Sequence, residues 1–252
     1  MILHLNQSIT RDQFIEFLLK KKIIKAVEFG FPSQSITRYI RGHVSIYEII
    51  QSLKINSYFT HFSAMKFHKL TEQTPDTIYL NFEQPPKRYK NRSLDQSRID
   101  AAFKRPLIVS QNVAEYKKYR ICILNGIYTG RLGVIETIHN RARVIATDIE
   151  RTLIDIVVRP GYSGGVSEVL NAYKLAKDKL SVKKLVNMLD TLKFVYPYHQ
   201  AIDFYLDKSG CYDHSSINLL RGKGLKYDFY LAHNIKEMNY SKEWRLFFPN
   251  NL

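Results

Sequence analysis

Several short stretches of the chain set acids, histidines, glycines and cations at spacings that invite chemistry. Glu150-Arg151-Thr152-Leu153-Ile154-Asp155 offers two carboxylates and an arginine, the residue types of a general acid–base pair. Five residues along a helix turn through about 500°, so the two acids stand about 140° apart and do not meet on one substrate atom. Capping and pairing absorb them instead. Thr147 and Glu150 have capping-box spacing, and Arg151 and Asp155 have the i,i+4 spacing of an ion pair on a polar face. His61 and His68 lie seven apart, about 10 Å of helix rise, which is too far for two ligands of one metal ion. His61 reads as an N-cap or packing residue, and His199, inside Tyr196-Pro197-Tyr198-His199-Gln200, as a core or interface residue. Asp76, Glu83 and Lys87 have the residue types of a metal-dependent nuclease. The lysine, however, stands four residues beyond the glutamate, and Pro85-Pro86 breaks the strand that should align them. Gly164-Gly165 before a helix fits a tight turn better than a phosphate cradle, since no phosphate-loop pattern surrounds it. The sequence therefore names no catalytic residue, no metal ligand and no cofactor.

Cations are the other resource. The chain carries 38 Lys+Arg against 23 Asp+Glu, a formal net charge of +15, which favours DNA, RNA or an acidic protein as partner. Between residues 87 and 120 ten cations face three acids. Within that stretch Lys87, Arg88, Lys90 and Arg92 surround Tyr89, the aromatic-basic interleaving that suits nucleic acid, although an exposed hairpin tip has the same composition. Lys20, Lys21 and Lys22 with Arg38 and Arg41 form a second candidate set of phosphate contacts. The three lysines also suit the negative end of a helix macrodipole.

The elements that must position these residues are legible in outline. Thr10-Arg11-Asp12-Gln13 opens a helix with a Phe14, Ile15, Leu18, Leu19 stripe, and two β-rich pieces, 23–31 and 36–41, read as a hairpin around Pro32-Ser33-Gln34. A helix with a two-stranded wing is a partial winged-helix module, with no second or third helix to read. Ser45 to Glu48 opens another short helix, Tyr58-Phe59 is a strand fragment, and a helix follows through Leu70. Asn125-Gly126 predicts a hairpin between strands 119–124 and 128–134. A β-branched run ending at Thr147 leads into a helix with Ile149, Leu153, Ile156 and Val157 on its apolar face. Arg159-Pro160-Gly161 ends that helix, and a stripe of Val166, Val169, Leu170, Tyr173 and Ala176 marks the next one. Further helical patterns cover 182–192 and 198–206, and 228–231 reads as a late strand. The fold class expected is α+β: a small N-terminal module over 1–44, then a mixed α+β domain over 45–252 with a helical C-terminal segment.

No apolar run approaches the roughly 20 residues of a membrane span, and the opening residues lack a basic segment followed by a long apolar core. Cys122 and Cys211 lie without metal-binding spacing and read as reduced, buried thiols. A cytoplasmic protein without a membrane partner is expected.

Three segments taken in order carry a family resemblance: 57–71 (SYFTHFSAMKFHKLT), with its Ser63-Ala64 pair at a strand-to-helix junction; 146–165, with ATDIERTLID followed by RPGYSGG; and 196–210 (YPYHQAIDFYLDKSG), ending at a glycine. Over roughly residues 45–252 the chain resembles the C-terminal domain of AbiEi-family antitoxins of type IV toxin–antitoxin systems. The resemblance implies a non-enzymatic phage-defence (abortive-infection) antitoxin. Its partner would be a cognate nucleotidyltransferase-like toxin, and operator DNA a further one through repression of its own operon. The chain departs from the family at its N-terminus, where the expected winged helix-turn-helix is incomplete. A stand-alone nucleic-acid-binding regulator and a metal-dependent nuclease remain the alternatives.

Overall fold

Local capping chemistry places the first elements. In the computed structural model, which describes residues 9–86 and 94–252, α1 (Arg11–Lys20) begins where the Thr10 side chain accepts from the Gln13 N–H. The Gln13 side chain reaches back to the Thr10 N–H and closes a capping box. Strands β1 (Lys25–Phe31) and β2 (Gln34–Ile40) then form an antiparallel hairpin, with Phe31 opposite Gln34. A second capping box, Ser45 with Glu48, opens α2 (Ile46–Gln51). β3 (Tyr58–Phe59), α3 (His61–Phe67), β4 (Thr77–Glu83) and α4 (Gln96–Phe103) follow, then β5 (Val113–Tyr116), β6 (Tyr119–Gly126), β7 (Val134–His139) and β8 (Ala142–Thr147). The helical part comprises α5 (Ile149–Val158), a 3-10 turn at Pro160–Tyr162, α6 (Val166–Leu175), α7 (Val182–Leu192), α8 (Tyr198–Ser209) and α9 (His214–Arg221). β9 (Phe229–Tyr230), β10 (Met238–Ser241) and β11 (Leu246–Pro249) close the chain.

The architecture is α+β. Its centre is a six-stranded mixed sheet of order β5-β6-β4-β3-β8-β7, in which β4 runs parallel to β6 and β3 parallel to β8. Alternation along the strands sends residues to two faces. Ile78, Leu80, Ile121, Ile123, Val144 and Ala146 meet Val27, Phe29 and Phe31 of the hairpin and Tyr47, Ile49 and Ile50 of α2. The opposite face lies under the helices, whose large core joins α3, α5, α6, α7 and α8 to the small sheet β10-β11-β9. The hairpin of the 1–44 segment thus shares a core with residues of the 45–252 segment, while α1 buries none of its residues. Among the described residues, no helix is long and apolar enough to cross a membrane.

The Asn125-Gly126 hairpin does not form. β6 pairs instead with β5 and, in parallel register, with β4, where Gly126 lies beside Glu83. A Cβ on Gly126 would stand 2.7 Å from the Asn81 side chain, so this glycine permits close strand approach rather than a turn. The reversals fall elsewhere, at Lys117-Lys118 and at Asn140-Arg141, the latter pair with φ of 49° and 66°. Positive φ at both central residues matches the twist of a two-residue hairpin. Helix α9 and the β10–β11 pair lie in a stretch where the sequence signalled only a short strand.

Candidate functional site

Helix α5 organises a densely connected polar region. Its start differs by one residue from the sequence expectation: Asp148, not Thr147, is the N-cap, its Oδ1 accepting from the Arg151 N–H at 2.8 Å. Thr147 is instead buried, with its hydroxyl 2.8 Å from that of Thr152. Asp148 wins because its carboxylate also meets Lys184 at 2.8 Å, anchoring α5 to the first turn of α7. Glu150 makes the same link, accepting from the Ser181 N–H at 3.0 Å and from Lys184 Nζ at 2.7 Å. Burial pushes the Glu150 carboxyl up, but these donors outweigh it and hold the group below the ordinary carboxylate range.

One turn on, Arg151 and Asp155 form the expected i,i+4 pair at 2.8 Å, but inside the protein rather than on a polar face. Burial works against the charge on Arg151, and the Asp155 carboxylate beside it more than compensates, raising the pKa of the guanidinium. Arg151 Nη1 also donates to Leu132 O at 2.7 Å and to Thr129 Oγ1 at 3.2 Å, so it grips the loop between β6 and β7. Glu83 grips that loop from the other side, accepting from the Thr129 N–H at 2.9 Å, the Thr129 hydroxyl and the Arg131 N–H at 3.2 Å. Gly133 closes the loop: its carbonyl accepts from the Asp148 N–H at 2.7 Å, and with φ of 70° a side chain there would press on Arg151 and Met188.

The network continues to the β3–α3 junction. Thr60 donates its hydroxyl proton to Asp155 Oδ2 at 3.0 Å, and His61 Nδ1 lies 3.1 Å from the Thr60 hydroxyl oxygen. Burial drives the His61 pKa down to about 4, so the ring is neutral near pH 7 and donates from Nδ1 to Thr60. This polarity is the reverse of a base-activated hydroxyl, in which the histidine would accept the proton. His61 holds a left-handed φ of 50° and packs edge-on against Tyr162 at 5.4 Å. His68 bonds Thr147 O through Nε2 at 2.6 Å, so the two histidines serve different partners. Asp76 directly precedes β4 and Glu83 ends it, about 23 Å away at an ordinary strand rise, so the two acids do not share an ion. Among the described residues, no cluster of three or more His, Cys, Asp or Glu side chains is arranged to hold a metal ion. His199 Nε2 donates to Gly224 O across 3.0 Å, and the residue lines a cavity of about 140 Å³ beside Phe194 and Tyr196.

The cationic candidates divide. Lys20, Lys21, Lys22 and Arg41 are exposed, and the β1–β2 register, with Lys25 opposite Ile40, brings Arg41 to the end of the hairpin where α1 finishes. Arg38 is spent otherwise: its guanidinium donates to the carbonyls of Thr37 at 2.9 Å, Ser52 at 2.8 Å and Leu53 at 3.2 Å, closing the C-terminus of α2. Lys87, Arg88, Tyr89, Lys90 and Arg92 lie outside the described residues. Cys122 is a buried free thiol as expected, whereas Cys211 is exposed. Thr129 and Thr60 escaped the sequence reading, and Glu83 entered it only as a nuclease candidate, because the partners of all three lie tens of residues away and leave no periodic signal.

No protein-family model and no curated protein matches the chain. Its fold is similar to that of the crystal structure of the RV2827C protein from Mycobacterium tuberculosis. The TM-score is 0.59 at 13% identity, over 96% of this chain and 80% of that one. At that identity the likeness is one of fold.

Proposed function

We propose that the chain is a non-enzymatic antitoxin of the AbiEi kind, counteracting a nucleotidyltransferase-like toxin in an abortive-infection system. The observation that carries this reading is how the ERTLID segment spends its polar groups. Asp148 and Glu150 hold α7, while Arg151 and Asp155 hold the β6–β7 loop and Thr60. Each acid is thereby explained as scaffold, and the outer surface of a strongly basic protein is left to recognise a partner. The three segments of the family resemblance fall on the β3–α3 junction, the β8–α5–α6 run and α8, whose helices share the large apolar core.

The exposed cations at the α1 end of the hairpin favour a second activity, binding of operator DNA. Co-expression with the nucleotidyltransferase-like toxin encoded beside the protein's own gene tests the main reading, and restored growth is the expected result. Soluble protein without restored growth overturns it. Mg²⁺-dependent cleavage of nucleic acid by the purified chain would promote the nuclease alternative.

A further inference from the structure

Helix α8 carries two polar side chains that are almost wholly buried, Gln200 at 0% and Asp203 at 1% exposure. Gln200 Oε1 and Asp203 Oδ1 are both without a hydrogen-bond donor. The orientation of the Gln200 amide is fixed by its surroundings. Nε2 donates to the carbonyls of Tyr227 at 2.9 Å, Trp244 at 3.0 Å and Arg245 at 3.4 Å, and a carbonyl accepts only from the nitrogen side of the amide. Oε1 therefore turns away from them. Asp203 follows three residues later on the same helix face, and the charge of Glu243, next to Trp244, bears on it. An ionised Asp203 would leave two buried acceptors about one turn apart on α8, each without a donor, which is the costly case for a buried polar group.

We propose that Asp203 is a carboxylic acid in the native protein, that its proton is donated to Gln200 Oε1, and that this bond makes the contact between α8 and the 243–245 turn sensitive to pH. Three charged groups bear on the carboxyl: Arg221 from α9, Asp207 from α8 itself and Glu243 from the β10–β11 turn. Arg221 favours ionisation, but its guanidinium is engaged by the Glu243 carboxylate and lies 4.3 Å over the Trp244 ring. Burial has the largest influence, and the Asp203 pKa is pushed up to about 7 from an ordinary 3.8. The native state thus keeps a proton that the unfolded chain gives up at lower pH. The stabilisation is complete below the unfolded value and is lost as pH rises through about 7. Above that pH, Asp203 competes with Glu243 for Arg221, and α9 and the turn loosen together.

The test uses the full chain and the variant D203N, whose amide can donate to Gln200 Oε1 at every pH. The wild-type folding constant, divided by that of D203N, should fall by up to about tenfold per pH unit between about pH 5 and 7 and level off above. Amide protection at 240–248, after division by the intrinsic base-catalysed rate, should fall with pH in the wild type and stay flat in D203N. A folded D203N with the wild-type pH dependence overturns the proposal. Should D203N fail to fold, carbon NMR of the wild-type carboxyl decides directly. A resonance in the protonated position at pH 6 supports the proposal, and one in the ionised position there overturns it.

Discussion

Helices α1 and α5 are each ten residues long, each begins at a side-chain cap, and each carries an apolar stripe in the sequence. In α1 the capping box forms as the sequence predicts, yet no residue of the helix is buried. In α5 the cap falls one residue later than predicted, yet seven of ten residues are buried, among them Glu150, Arg151 and Thr152. Capping reports where a chain can begin a helix, because it concerns backbone N–H groups within one turn. Which faces are then covered depends on what arrives from elsewhere. α5 receives α3, α6, α7, α8 and the β6–β7 loop, so even its charged residues are enclosed and must find partners.

The sharpest test of this contrast is the buried pair. Arg151→Ala strips Asp155 of its cationic partner inside the protein and releases Leu132 O and Thr129, and it should cost about 3–5 kcal/mol in urea denaturation. Replacing both members, Arg151→Met with Asp155→Leu, should cost clearly less, because no charge is then stranded. A single-variant cost below about 1 kcal/mol would show that the pair lies in a wetter setting than its geometry indicates. Arg11 and Asp12 of α1, 3.9 Å apart and almost fully exposed, provide the control whose removal should go unnoticed.

Apolar truncation should separate the helices next. Leu153 is 0% exposed, and Leu153→Ala should cost about 2–5 kcal/mol. Leu18→Ala in α1, at a half-buried position outside the main cores, should cost about 1 kcal/mol or less in the same assay.

This contrast also explains what could be read from the sequence. The hairpin at 25–40, the helices from α5 to α8 and the stripe Val166, Val169, Leu170, Tyr173, Ala176 rest on local spacing and were legible. Asn125-Gly126 misled because a glycine suits a turn and a close strand contact equally, and only the parallel β4–β6 register decides between them. The Arg151–Asp155 pair was legible as a pair, since i,i+4 is local, but its burial was not. Glu83 with Thr129, Thr60 with Asp155, and Gln200 with Trp244 join residues 44 to 95 positions apart, beyond the reach of any periodic pattern.

Caps and pH give smaller, directional effects. Asp148→Ala removes both the cap of α5 and a Lys184 contact and should exceed Thr10→Ala, which removes a cap alone and should cost about 0.5–2 kcal/mol. The Glu150 pKa lies below its ordinary value in the folded state, so the group stabilises above the unfolded carboxylate range and the benefit fades as pH falls through the folded pKa. Glu150→Gln should accordingly flatten the acid limb of the stability profile. A steeper limb would mean that Lys184 and Ser181 do not favour the carboxylate.

The smallest expected effect on stability lies at α1, and it is the most informative about partners. Changing Lys20, Lys21, Lys22 and Arg41 together to Ala removes exposed cations that make no described contact with the sheet core, so stability should move by about 0.5 kcal/mol or less. Arg38→Ala should cost more, because it uncaps α2. If this end of the hairpin grips phosphates, the fourfold variant should reduce the log–log salt slope of DNA binding by up to about 3.6 units, with toxin neutralisation intact. The parallel fourfold change at Lys87, Arg88, Lys90 and Arg92 asks the same of the basic loop. A slope unchanged by the first set and reduced by the second would move the DNA contact from the α1 end to that loop. Unchanged slopes in both would leave α1 as a helix that its cap can start and no nucleic acid needs.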